Sequence, residues 1–188
     1  MSRILRLIPT ALATILCFCL CTLAQAPKPS PKPAEFIIGE MHIQTVGPIH
    51  YLYGSAETTL QDLMQPIGRF LPGLEQAASE GKIQVNGPAV FIYHNAQPEK
   101  PFTIDIGFRV SEQTKVFGEY KLRKTEPFHC ATVLYTGPVS QIIKAYDKLI
   151  QSIQAAGLNP GSESREFYLF WEGPDSPNNV VQIQISLR

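Results

Sequence analysis

Cysteine is almost absent from the body of this 188-residue chain: Cys17, Cys19 and Cys21 fall in the first segment, and Cys130 stands alone. One cysteine excludes an internal disulfide after that segment, so stability there must come from a buried core. With no activating partner in its sequence context, Cys130 reads as a small apolar residue and not as a nucleophile. Charge of one sign is lacking too, 16 Lys plus Arg against 16 Asp plus Glu, which removes the electrostatic case for a nucleic acid partner. The four histidines, His42, His50, His94 and His129, have no close metal-ligand spacing; no metal and no cofactor is expected. A glycine-rich phosphate loop and an exposed-serine elbow are both missing.

What the N-terminus does have is Arg3 and Arg6 ahead of an uncharged run from Leu7 to Leu23, followed by small residues. That is the layout of a secretory signal, read as residues 1–24 with cleavage after Ala24. A periplasmic or secreted protein is therefore expected. A membrane partner follows only if the segment is retained, at the lower limit of a span, or lipidated. Residues 25–34 form a Pro/Lys-rich linker, extended and unable to build a core. Residues 35–188 are long enough for one domain with its own core.

Within that domain the same order of elements is read twice, in units of about 36–110 and 127–188. HYLYGSAETTLQ, a helical stretch, PAVFIYHN and FTIDIGFRV are followed by TVLYTGPVSQII, a second helix, EFYLFWEG and VVQIQISLR. Leu52-Tyr53 is matched to Leu134-Tyr135, and Phe91-Ile92-Tyr93 to Tyr168-Leu169-Phe170. The reading is an α+β fold of duplicated β-α-β-β units about a pseudo-twofold axis: an antiparallel sheet, two main helices and a central cleft. Val139, Ile142, Ile143, Tyr146, Leu149, Ile150 and Ile153 mark the second helix, between Gly137-Pro138 and Gly157. The first carries Leu60, Leu63, Met64, Ile67, Leu71 and Leu74, but Pro66 and Pro72 predict a kink or a split. Ser111 to Glu126 reads as a solvated connection.

One residue is out of place. In SREFYLFWEG the carboxylate of Glu166 shares a strand face with Tyr168 and Phe170, while Phe167, Leu169 and Trp171 take the other. A carboxylate on an apolar face needs a partner, a raised pKa or water. Arg109 and Lys144 are candidate ion-pair partners, and Asp105, on the polar side of its strand, is either a second carboxylate or solvated. Tyr168, with Phe91 and Tyr93 on the equivalent strand, is the preferred lining around Glu166. Trp171 is added although strand parity sets it opposite. Tyr146, on the buried stripe of its helix, is expected in the core with its hydroxyl bonded to some partner.

The run FHCATVLYTGPVSQIIKAYDKLIQSIQAAGL, a Gly-Ser loop and REFYLFW resemble the second half of the GyrI-like, or AraC-type effector-binding, domain. The resemblance implies paired β-α-β-β units holding a small molecule in their cleft, with an acidic residue at the position of Glu166 in an aromatic pocket. It does not carry over transcriptional regulation, since no helix-turn-helix segment is read before Glu35. The expected function is an exported small-molecule-binding protein that holds an apolar ligand, a cation among the candidates, through Glu166, Tyr168, Phe91, Tyr93 and Trp171, and no nucleic acid. The alternative is a hydrolase of the same fold, with Glu166 as general acid or base and Tyr168 as hydrogen-bond donor.

Overall fold

The computed structural model describes residues 35–188; the signal peptide and linker expectations lie outside the described residues. Two short strands, β1 (Ile37–Ile38) and β2 (His42–Val46), precede β3 (His50–Thr58), α1 (Met64–Ser79), β4 (Val85–His94) and β5 (Phe102–Val110). Then come β6 (Lys121–Lys124), β7 (Phe128–Thr136), α2 (Ile143–Ala155), β8 (Pro160–Phe170) and β9 (Val180–Leu187). The strands make one nine-stranded sheet in the order β1-β7-β9-β8-β4-β5-β3-β6, with β2 also on β7. Every pairing among these strands is antiparallel.

Strand, helix, strand, strand thus occurs twice, as β3-α1-β4-β5 and β7-α2-β8-β9, and β4 lies beside β8 where the two runs meet. Directly opposed residues share a face, so the registers can be followed across the sheet. Gly54, Ile106, Phe91, Glu166, Ile183 and Val133 form one row. On this face α1 packs Phe70 with Phe91, Tyr93, Phe102, Ile104 and Ile106, and α2 packs Ala145, Leu149 and Ile153 with Val133, Val181 and Ile183. Phe70 is 1% exposed and lies so near Gly54 that a Cβ there would come within 2.2 Å of the ring. Only glycine allows that approach.

The neighbouring row, Ser55, Asp105, Ile92, Arg165, Gln184 and Thr132, points to the other side. That face has a second apolar cluster of Ile49, Tyr51, Val90, Ile92 and Phe167. Ile49 and Thr125 are bonded to each other beside it, Thr125 N–H donating to the Ile49 carbonyl at 2.9 Å and Ile49 N–H to Thr125 Oγ1 at 3.0 Å.

Three expectations change. The first helix is one continuous segment from Met64 to Ser79, so it is not split. Pro66 falls in its first turn, where a missing N–H costs nothing, and burial of Phe70, Leu74 and Ala77 holds the helix across Pro72. The loop 111–126 contains β6, which extends the sheet on β3. Finally, Leu52 lies in one cross-sheet row with Phe108, Ala89, Tyr168, Val181 and Tyr135, so the matched dipeptides Leu52-Tyr53 and Leu134-Tyr135 are out of phase by one residue. Burial agrees: Leu52 and Tyr135 are fully buried, whereas Leu134 is exposed. The second helix begins with a 3₁₀ turn at Val139–Gln141 and ends before Gly157, whose φ of 74° is a conformation that glycine adopts without strain.

Candidate functional site

Glu166 sits mid-strand in β8, on the helix-bearing face, 3% exposed. No lysine, arginine or histidine forms an ion pair with it among the described residues. Three phenols take that place. Tyr93 Oη donates to Glu166 Oε2 at 2.8 Å, Tyr168 Oη to Oε2 at 2.7 Å, and Tyr146 Oη to Oε1 at 2.9 Å. They come from β4, β8 and α2, so the cluster joins the two strand-helix-strand-strand runs and forms only in the folded chain.

Burial raises the Glu166 carboxyl above its ordinary value, and the hydrogen bonds from Tyr168, Tyr93 and Tyr146 pull in the other direction without cancelling it. The same burial, with the adjacent carboxylate, pushes Tyr93, Tyr146 and Tyr168 well above the normal phenol value. All three therefore stay protonated as donors. When ionised, the Glu166 carboxylate is met by three hydroxyl donors and, among the described residues, by no paired cationic side chain, a charge site beside aromatic rings.

The walls are aromatic. Phe91 and Tyr168 are 4.8 Å apart between ring centroids, Tyr93 and Phe102 6.1 Å, and Tyr168 and Trp171 5.6 Å at 78°. All five residues singled out from the sequence, Glu166, Tyr168, Phe91, Tyr93 and Trp171, are thus in one connected group. Trp171 reaches Tyr168 because the β8–β9 register shifts between Tyr168 and Phe170, which upsets the parity argument that set it opposite. Tyr146 is the residue the sequence reading left in the core. Its only signal was a hydroxyl on a buried helix stripe, which had to find an acceptor.

Other candidates go elsewhere. Arg109 is paired with Tyr51 in register, and Tyr51 and Tyr53 share the opposite face. Lys144 lies over the Phe36 ring at 4.8 Å. Neither serves Glu166. Asp105 is neither solvated nor a second carboxylate of the site: it is 2% exposed on the opposite face. His94 Nε2 is 2.9 Å and Arg123 Nη2 2.8 Å from its Oδ2. Burial opposes its ionisation, yet hydrogen bonds from His94 and Ser55 and the charge of Arg123 hold its carboxyl below the ordinary value. Cys130 is fully buried, its thiol pushed up to about 11 by desolvation. An open groove of about 560 Å³ lies away from Glu166, between the end of β3 and α1, lined by residues such as Glu57, Asp62, Pro66 and Arg69.

Known proteins share this fold. The C-terminal domain of EcmrR is 16% identical, covering 80% of this chain and 98% of that one, with a TM-score of 0.66. Against EcmrR in the EcmrR-DNA complex in EcmrR-RPo, the match spans 57% of that chain, at a TM-score of 0.64. SAV2435 bound to tetraphenylphosphonium is 11% identical, covering 79% of this chain and 94% of that one, TM-score 0.59. A hydrolase from Listeria innocua matches at 11% identity, 79% and 92% coverage, TM-score 0.53. No curated protein matches the sequence. The family model for the GyrI-like small molecule binding domain matches residues 39–188, and over that length the chain belongs to the GyrI-like family.

Proposed function

We propose that this domain captures a hydrophobic organic cation, with Glu166 as its counter-charge and Tyr93, Tyr168, Phe91, Tyr146 and Trp171 as its aromatic surround. The observation that carries the reading is a buried carboxylate bonded by three tyrosine hydroxyls, with no cationic side chain paired to it among the described residues. Desolvated charge beside aromatic faces favours a cation through Coulombic and cation–π attraction, while a neutral analogue of the same shape leaves the charge unmatched. A relative of the same fold binding tetraphenylphosphonium, a lipophilic cation, supports the choice. The N-terminal signal layout supports an exported protein, and the repeated element order supports descent from a duplicated β-α-β-β unit.

The hydrolase reading draws on one feature, the raised Glu166 carboxyl, which suits a general acid. It requires turnover, and absence of product from ester and epoxide substrates would leave binding alone. The binding reading is tested by pH. A cation needs the ionised carboxylate, so its affinity rises as pH is raised through the Glu166 titration, and binding releases protons. Calorimetry of tetraphenylphosphonium in buffers of different ionisation enthalpy measures both. Affinity that is flat with pH, with no proton release, would contradict the assignment of Glu166.

A further inference from the structure

Ten large apolar side chains are exposed among the described residues, and five of them gather at one end of the sheet: Ile37, Leu134, Leu169, Phe170 and Trp171. The registers place them. Ile37 is opposed to Thr136, Thr136 to Val180 and Val180 to Phe170, so Ile37 and Phe170 end one row on the face away from the helices. That row crosses three strand spacings, about 14 Å. Leu134 lies two residues along β7 from Thr136 and shares its face. Leu169 and Trp171 flank Phe170, and the register shift after Tyr168 leaves both half-exposed. Scattered apolar residues on a surface are ordinary, whereas a contiguous group marks an interaction surface.

The chain enters the domain at this same edge. Phe36, just before β1, is stacked on Tyr135 at 6.3 Å between centroids and lies under Lys144 at 4.8 Å. Lys148 Nζ donates to the carbonyls of Ile38 and Gly39 at 3.2 Å, so α2 fixes β1 and the patch it carries. Upstream, the sequence has the Pro/Lys-rich residues 25–34 and the uncharged run from Leu7 to Leu23. A Pro-rich stretch of that length reaches about 31 Å at about 3.1 Å per residue. With the uncharged run retained in a bilayer, the edge that carries Ile37 is held at high effective concentration beside lipid. Charge around the patch is mixed, Lys144 and Lys148 with Glu172 and Asp175, which favours apolar insertion among neutral headgroups over attraction to anionic lipid.

We propose that the edge carrying Ile37 and Phe170 docks on the surface of a lipid bilayer, with Ile37, Leu134, Leu169, Phe170 and Trp171 set into the headgroup boundary. Tryptophan favours that boundary because its ring is apolar and its N–H is polar. The docking stands without the Glu166 reading. Where both hold, they have a joint consequence: a hydrophobic cation dissolved in the membrane meets Trp171, the indole edge-on to Tyr168 at 5.6 Å.

Trp171 is the single tryptophan of the chain, so its emission reports this edge alone. The test reconstitutes the full chain into phosphatidylcholine vesicles with and without dibrominated acyl chains. A side chain set about 5–10 Å into the boundary is within reach of the bromines, and Trp171 emission should be blue-shifted and strongly quenched. Quenching should persist in about 1 M NaCl, where exposed charges are screened beyond about 3 Å. The double variant Ile37→Glu with Phe170→Glu should lose it, while Met64→Glu, at an exposed position on α1, should keep it. If thermal melts show that the Glu pair disturbs the fold, Ile37→Ser with Phe170→Ser replaces it and should weaken quenching without charge. No quenching in wild type would overturn the docking. So would equal quenching in wild type and the double variants, which would mean that the N-terminal segment alone brings Trp171 near lipid. Quenching abolished by salt would indicate adsorption by charge, and a concentration-dependent blue shift without quenching would assign the face to a second copy; either overturns the proposal. Equilibrium dialysis of tetraphenylphosphonium against the same samples separates the two readings: cation binding without quenching removes the docking alone, and quenching without cation binding removes the Glu166 reading alone.

Discussion

Replacing Tyr93 by Phe deletes one oxygen and little else: the ring stays packed with Phe91, Phe102, Ile104 and Ile106, and Glu166 Oε2 loses its 2.8 Å donor. A hydrogen bond to a charged group contributes about 1.5–3 kcal/mol. For a domain of this size each kcal/mol moves the melting temperature by about 2–4 °C, so a drop of about 3–12 °C is expected at neutral or higher pH. The pH dependence carries a sign. Glu166 titrates above its ordinary value in the fold, so its burial favours the protonated form and stability declines as pH rises through the folded value. The Tyr93 bond opposes that shift, and Tyr93→Phe moves the titration further up. The deficit relative to wild type should therefore widen with rising pH and shrink at acidic pH, where the carboxyl is neutral in both proteins. Thermal melts of the two proteins across the acid-to-neutral range measure it. A Tm difference below about 1 °C at every pH, or one that grows on acidification, would refute the idea that Tyr93 stabilises a buried negative charge.

Asp105→Ala removes the buried carboxylate that joins the partly exposed His94 and Arg123, and losing a hydrogen bond to a charged group costs about 1.5–3 kcal/mol. Because the Asp105 carboxyl is held below its ordinary value, that contribution is present above the unfolded value and fades as pH falls through the folded one; urea titrations at two pH values detect the change. Gly54→Ala places a methyl group against Phe70 and should cost about 1–3 kcal/mol of stability by overpacking, measured by chemical denaturation. No loss would mean that α1 is free to back away from β3.

The strand period was enough to put Glu166 on the face shared with Tyr168, and the recurring element order was enough to bring Phe91 and Tyr93 beside it. Burial of Tyr146 was equally plain from its helical stripe. Its bond to Glu166 was not, because a hydroxyl's partner depends on how α2 lies over β8, which no local pattern encodes. Trp171 illustrates a different limit: alternation gives the face of a residue only while the register holds, and the shift after Tyr168 cancels it. Strand β6 was hidden because Lys121-Leu-Arg-Lys124 has one apolar residue, and it is a strand by virtue of its backbone pairing to β3. Asp105 read as either a second carboxylate or a solvated one for a similar reason. Its partners His94 and Arg123 sit on other strands, and only the assembled sheet brings a polar row into a buried position.

The central claim is that Glu166 selects for positive charge. The direct measurement is the affinity of wild type and Glu166→Gln for tetraphenylphosphonium and for neutral triphenylphosphine oxide, followed by Trp171 fluorescence at a pH where the carboxyl is ionised. The account predicts that wild type prefers the cation by at least about tenfold, the factor corresponding to about 1.4 kcal/mol of charge interaction, and that Glu166→Gln loses the preference while still binding the neutral compound. An equal preference in both proteins would contradict it and leave Glu166 as a structural carboxylate held by its three tyrosines.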